Sequence, residues 1–241
     1  MILAFGNKAR HGKDTACNAV IEHFTKSREI AIDCFEASGD ELLGYPEIKR
    51  VNFADALRIE VNEAIVKAKG IENLLERGFI DYPTEEEAQS GLDFVRRVIP
   101  DWVTPELNPS INDPLLLAGK HPKLLQWWGT EYRRYQDPDY WVKKWRQQVV
   151  GFHGVVVVGD LRFWNEATAI TQAGGHVVHV QRFNKDGSLY FATDRDPGHV
   201  SETQIDGLNW DFRIAAKSGE DALLGEQAIT IAEYVFGLEG K

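Results

Sequence analysis

The chain has 241 residues, 43% of them hydrophobic, and a formal net charge of −10 at pH 7. That length suits one large α/β domain with insertions or two small ones. The acidic balance argues against a general nucleic-acid binder, yet it allows a small anionic ligand held by local positive charge. Cys17 and Cys34 are too few for a disulfide scaffold and lack metal-ligand spacing. No segment approaches the roughly 18 consecutive apolar residues of a membrane helix, so a cytoplasmic protein without a membrane partner is expected.

Ile2 to Phe5 reads as a buried strand, so the N-terminus is expected to belong to the core rather than to a removable signal. Gly6-Asn7-Lys8-Ala9-Arg10-His11-Gly12-Lys13-Asp14-Thr15 follows, and it opens an amphipathic helix. A Gly-Lys step between a strand and a helix is suited to phosphate, because loop and helix N–H groups converge on phosphate oxygens and the lysine adds a mobile charge. Five residues separate Gly6 from Gly12, where the usual loop has four. The first glycine position therefore falls on Asn7, a residue that tolerates positive φ. Asp14 and then Thr15 follow Lys13, where most such loops place Ser or Thr directly. Ala16, Ala19, Val20, His23 and Phe24 give the helix an apolar face, with an end predicted at Thr25-Lys26-Ser27. Of the seven histidines, only His11 falls inside this loop, and none has metal-ligand spacing.

Residues 28–50 look irregular, with Ile30 to Phe35 as a short strand. Val51-Asn52-Phe53 is predicted as a second core strand and Ala54 to Lys69 as a helix carrying Arg58 near the sheet's carboxyl edge. A capping box at Thr84…Glu87 starts a helix over 84–97. Pro100, Pro105, Pro109, Pro114 and Pro122 then punctuate a loop-rich stretch, so 70–121 reads as an insertion over the core. Two helices follow, Lys123 to Tyr135 and Tyr140 to Val150. In the first, Gln126-Trp127-Trp128-Gly129-Thr130-Glu131 interrupts the helix with adjacent indoles and a glycine. Such indoles serve either as a platform for a nucleobase or as core packing.

Val155 to Val158 is an all-apolar run, the pattern of a strand buried on both faces. Asp160-Leu161-Arg162 comes directly after it. Ligands bind beyond the carboxyl ends of strands in open α/β sheets. Asp160 there can hold magnesium, Arg162 can clamp a phosphate with two parallel hydrogen bonds, and Glu166 can orient that arginine or bind an acceptor. The bland alternative is a strand-end turn with a surface ion pair. A helix over Trp164 to Ala173, stopped by Gly174-Gly175, leads to a strand at His176 to Gln181. Arg182 and Arg195 bracket a polar 182–202 stretch that reads as a lid-like loop able to close over transferring phosphates. Phe212 to Ala216 is the last strand, and Ser218…Asp221 is predicted to cap a terminal helix ending near Phe236. The alternation predicts a parallel sheet covered by helices on both faces.

Four blocks resemble the phage deoxynucleoside monophosphate kinases, a branch of the P-loop monophosphate kinases. They are Gly12-Lys13-Asp14-Thr15; Leu125-Gln126 with Gly129-Thr130-Glu131 and Tyr140-Trp141-Val142; Asp160-Leu161-Arg162 with Asn165-Glu166 and Gly174-Gly175; and His199-Val200-Ser201-Glu202. The resemblance spans nearly the whole chain except 70–121 and the region before 50. It implies a single three-layer P-loop kinase domain over 1–241 with a helical insertion, transferring the ATP γ-phosphoryl group to a deoxynucleoside 5′-monophosphate. On that footing Arg10, Gly12, Lys13, Asp14 and Thr15 are the ATP-binding candidates. Arg58, Gln126, Trp128, Gly129, Thr130, Trp141, Asp160, Arg162 and Glu166 are the monophosphate-binding ones. Lys13, Asp160, Arg162, Arg182 and Arg195 would act in catalysis, and Asp14, Thr15 and Asp160 would hold Mg²⁺. A monophosphate acceptor is already anionic at neutral pH, so cations matter more than a general base. Two rivals stay open: a kinase of hydroxymethylated bases in phage DNA, and a non-catalytic nucleotide-binding switch. Base selectivity and assembly as a homodimer are also open.

Overall fold

The computed structural model describes residues 1–38, 46–61, 63, 125–193 and 196–237. The chain divides into two compact units, one of Met1–Phe53 with Val142–Lys241 and the other of Ala54–Trp141.

The first unit is built on five parallel strands: β1 (Ile2–Gly6), β2 (Ile48–Arg50), β3 (Val155–Leu161), β4 (His176–Phe183) and β5 (Phe212–Lys217). Their spatial order is β2-β3-β1-β4-β5. Alternate residues of β1 and β3 face opposite layers, as the period of two requires. Leu3, Phe5, Val155 and Val157 pack against α1 (Lys13–Ser38) and a C-terminal helix. Ile2, Ala4, Val156 and Val158 face α2 (Tyr140–Val149) and α3 (Trp164–Gln172). The C-terminal helix, α5 (Asp221–Phe236), lies against α1. The parallel sheet with helices on both faces is thus the one the alternation predicts. Val157 and Val158 are fully buried, and each such side chain contributes roughly 1.5–3 kcal/mol.

Several elements depart from expectation. Helix α1 runs to Ser38 instead of stopping at Ser27, and it absorbs the Ile30–Phe35 strand. No glycine or proline interrupts 13–38, and Ser27 Oγ donates back to the His23 carbonyl at 2.9 Å, which satisfies the hydroxyl inside the helix. The second strand is Ile48–Arg50, three residues before Val51–Phe53. Val51 still donates to the Val157 carbonyl at 3.0 Å, but Phe53 already starts a helical segment over 53–61. Strand β4 continues through Arg182 and Phe183, so Arg182 belongs to the sheet and not to a loop. Ser218 does not cap α5, whose N-cap is Glu220. The Ser218 hydroxyl instead donates to the Phe183 carbonyl. Gly174, at φ 73, ends α3 in the left-handed conformation, as the sequence suggests.

In the second unit, Trp127–Arg134 forms a π-helix, in which Tyr135 N–H bonds the Thr130 carbonyl five residues back. The expected helix at 84–97 and the insertion at 70–121 lie outside the described residues. Among the described residues no helix is long and apolar enough to cross a membrane.

Candidate functional site

Strands β1 and β3 are neighbours, but the chain leaves β1 for α1 on one face and leaves β3 for α3 on the other. Their carboxyl ends therefore form a topological switch point, where the crevice beyond the strand ends is the place open α/β sheets bind ligands.

The loop after β1 forms one wall. Gly6 belongs to the strand, where a Cβ would come within 2.5 Å of a Trp210 ring carbon. Asn7 does not supply the positive φ expected of it. That conformation falls on Arg10 (φ 60) and Gly12 (φ 90). Arg10 is the one non-glycine residue with positive φ among those described, a conformation uncommon enough outside glycine to mark a constrained turn. Asn7 acts through its side chain. Its amide donates to the Val180 carbonyl of β4 at 2.6 Å and accepts from Lys8 N–H at 2.6 Å, pinning the turn to the sheet. Arg182 pins the other flank. Its backbone N–H donates to His11 Nδ1 at 3.1 Å, its Nη1 to the Arg10 carbonyl at 3.4 Å and its Nε to Ser218 Oγ at 3.0 Å. His11 is buried and its pKa falls to about 4, chiefly through burial and then the nearby Lys13 charge. It is therefore a neutral structural acceptor at neutral pH.

Lys13 opens α1 and is only 6% exposed. Its ammonium folds back onto the loop, donating to the Asn7 carbonyl at 2.9 Å and the Lys8 carbonyl at 2.5 Å. Burial first, and then the Arg162 charge, lower its pKa to about 7, against the pull of Glu202, Asp14 and Asp160. A cation so destabilised gains from an anion placed beside it.

The end of β3 forms the other wall. Asp160 Oδ1 accepts Phe53 N–H at 3.0 Å. Glu166 is 2% exposed. Its carboxylate accepts Arg162 N–H at 2.9 Å and Phe163 N–H at 3.1 Å, caps α3 and holds the Arg162 backbone. The Arg162 guanidinium pairs through Nη1 with Glu202 Oε1, while Glu202 Oε2 accepts Ala9 N–H of the first loop at 2.8 Å. Asp14, at the start of α1, pairs with Arg50 of β2, whose guanidinium also reaches Asn18 at 3.1 Å. Thr15 is half-buried on the next position, and Arg195 lies outside the described residues.

Among the described residues no group of three or more His, Cys, Asp or Glu side chains is arranged to hold a metal ion. Magnesium carried by a nucleotide needs only one or two carboxylates besides phosphate oxygens and water. Asp14 and Asp160 are the carboxylates on the two walls that could serve such an ion, Asp14 being paired with Arg50 and Asp160 holding Phe53 N–H.

The second unit holds the remaining candidates. Trp128 and Trp141 are each 2% exposed. Trp128 Nε1 donates to Glu60 at 2.8 Å and Trp141 Nε1 to the Gly129 carbonyl at 2.9 Å. A Cβ at Gly129 would lie 3.1 Å from Leu57 Cδ2, so a larger residue there would require Leu57 to shift. Gln126 and Thr130 are half-buried, and Arg58 pairs with Asp55 one turn back at 3.5 Å. Glu60, which carries no signal in the sequence, is the hub. It also binds Arg133 Nε and, at 2.6 Å, the Tyr140 hydroxyl. Burial alone would raise its pKa, but the bonds from Tyr140, Trp128 and Arg133 hold it below the ordinary carboxylate value. Tyr140 is pushed up to about 12 by burial and by that bond.

No protein-family model matches the chain, and no curated protein is similar to it at a significant level.

Proposed function

We propose that the chain is an ATP-dependent kinase that phosphorylates deoxynucleoside 5′-monophosphates to diphosphates. The observation that carries this reading is the loop after β1, with left-handed Arg10 and Gly12 and buried Lys13, set against Arg162 across one crevice at the switch point of a parallel sheet. Loop N–H groups and Lys13 would bind the donor phosphates, and Arg162 would bind the acceptor phosphate. Both cations offset the repulsion between two anionic reactants and hold them in line. The acceptor oxygen is already ionised, so no general base is required of Asp160. Magnesium, bound with ATP, neutralises charge on the phosphate oxygens, and Asp14, Thr15 and Asp160 are the residues that would hold it. The candidate base-reading residues, Gln126, Trp128, Gly129, Thr130 and Trp141, belong to the other unit, and variants test their contribution.

The deciding experiment incubates the protein with MgATP and each deoxynucleoside monophosphate in turn, beside DNA containing hydroxymethylated bases, with coupled detection of ADP. Turnover dependent on a monophosphate supports the reading. Turnover on the DNA alone would transfer the protein to the polymer kinases, and tight ATP binding without turnover on any acceptor would make it a switch.

A further inference from the structure

Glu202 belongs to α4 (Val200–Thr203), a single helical turn whose N-cap is His199. Its side chain is 5% exposed. A carboxylate at that depth is costly unless its charge is paired and its oxygens are hydrogen-bonded. The two oxygens reach the two walls of the crevice: Oε2 takes Ala9 N–H from the loop after β1, and Oε1 takes Arg162 Nη1 from the loop after β3. Those loops leave adjacent strands toward opposite faces of the sheet, so no backbone ladder ties them together beyond Gly6 and Leu161, the last residues in register. The same segment is joined to the first loop a second time, where Lys8 Nζ meets Asp206 Oδ2 at 3.0 Å.

We propose that Glu202 is a positioning residue that fixes the Arg162 guanidinium relative to the loop after β1, so that the arginine and the loop amides present themselves together to one anionic group. The inference rests on the kinase reading for its kinetic consequence but not for its structural one. Glu166 accepts the Arg162 backbone N–H, a bond that by itself does not set the rotamers of the long side chain. A guanidinium has five donors, and the contact at Nη1 occupies one of them while setting the plane of the group. A two-bond clamp on a phosphate requires that plane to be set. Ala9 N–H, held by the second oxygen, ties the same carboxylate to the loop, so its position follows the loop and not the strand that carries Arg162.

The test uses the full chain with Glu202→Gln and Glu202→Asp. In the ligand-free wild type, NMR of the Arg162 side chain should show a restrained guanidinium with slowed Nη exchange. Glu202→Gln should average those signals and speed exchange of the Ala9 amide, with Glu202→Asp recovering part of both. Unchanged Arg162 signals would overturn the proposal whether or not the protein is a kinase. With MgATP and the best monophosphate, Glu202→Gln should lower kcat by about 100-fold, as misplacement of a reacting group does. The KM for ATP should change less than threefold. Loss of stability with normal kcat in the folded protein would reduce Glu202 to a structural role and overturn the proposal. Tighter binding of Mg-tripolyphosphate by Glu202→Gln would also overturn it, since the carboxylate would then be an internal anion that ligands displace. If Glu202→Gln does not fold, Glu202→Asp carries the same measurements. A wild type without kinase activity would sink the functional reading alone, and the Arg162 signals would still decide the role of Glu202.

Discussion

Each unit of the chain sets a glutamate beside an arginine, Glu202 buried and Glu60 half-buried, and the two pairs differ in what completes them. Glu60 is answered by side chains alone, from Arg133, Trp128 and Tyr140, and all three lower its pKa. Glu202 is answered by Arg162 and by a backbone N–H of a strained loop, next to a lysine whose pKa is brought down to about 7. The first cluster satisfies its own charge. The second surrounds a buried lysine whose ammonium is answered by the loop carbonyls of Asn7 and Lys8, and burial leaves its charge destabilised; an incoming anion would relieve that cost. A buried ion pair is therefore no guide to function until the charges around it are counted.

The largest effect that separates the two clusters is expected at Lys13. Lys13→Met should lower phosphoryl transfer by about 100- to 1000-fold, the usual cost of removing one charge-stabilising donor, without loss of thermal stability. The lysine has a folded pKa of about 7 against an ordinary value of 10.5. The unfolded chain thus binds more protons across that interval, and the stability of the wild type should rise with pH through it. Urea titrations at several pH values should show that rise in the wild type and none in Lys13→Met. Near-normal turnover in a folded variant would make the loop merely structural.

Arg162→Lys ranks next. It should cost almost as much activity as Arg162→Ala, about 100-fold, because a point charge cannot make two parallel bonds to a phosphate. Acceptor affinity should fall and ATP affinity stay. The reverse pattern would exchange the donor and acceptor sides. Arg133→Lys is the matching variant in the second cluster and should leave ATP affinity untouched.

A smaller effect, on stability, is expected from Glu60→Gln. It removes a carboxylate from three donors and should cost about 2 kcal/mol in urea unfolding, with turnover per folded molecule nearly unchanged. Because the Glu60 pKa is depressed, its contribution is present above the ordinary carboxylate range and is lost as pH falls through the folded value. Wild type and Glu60→Gln should therefore converge in acid. If they stay apart at low pH, the carboxylate charge is not what stabilises the cluster.

The smallest effect should come from Trp141→Phe, which loses the bond to Gly129 and about 1 kcal/mol of stability. Trp141→Leu also tests whether the indole touches the base. A base–aromatic contact of about 1–3 kcal/mol would appear as a tenfold or larger loss of monophosphate affinity by calorimetry. Unaltered affinity in a folded Trp141→Leu protein would leave Trp141 as packing.

What was legible in the sequence depended on periodicity and adjacency. The valine run of β3, the glycine stop after α3, and the Lys13 and Asp160-Leu161-Arg162 motifs each lie within a few residues of one another, so local physics specified them. Even there, composition misled where a tertiary partner intervened. Ser27 was satisfied inside α1 by its own helix, Ser218 was drawn to β4 instead of capping α5, and the left-handed turn fell on Arg10 while the Asn7 side chain bonded Val180. The union of Glu202 with Ala9 and Arg162, and of Glu60 with Trp128, Arg133 and Tyr140, joins residues tens to nearly two hundred positions apart. No periodicity encodes such a meeting. For Glu202 it follows only when the order β2-β3-β1-β4-β5 places the ends of β1 and β3 side by side, and when a buried carboxylate must take whatever donors the fold brings to it.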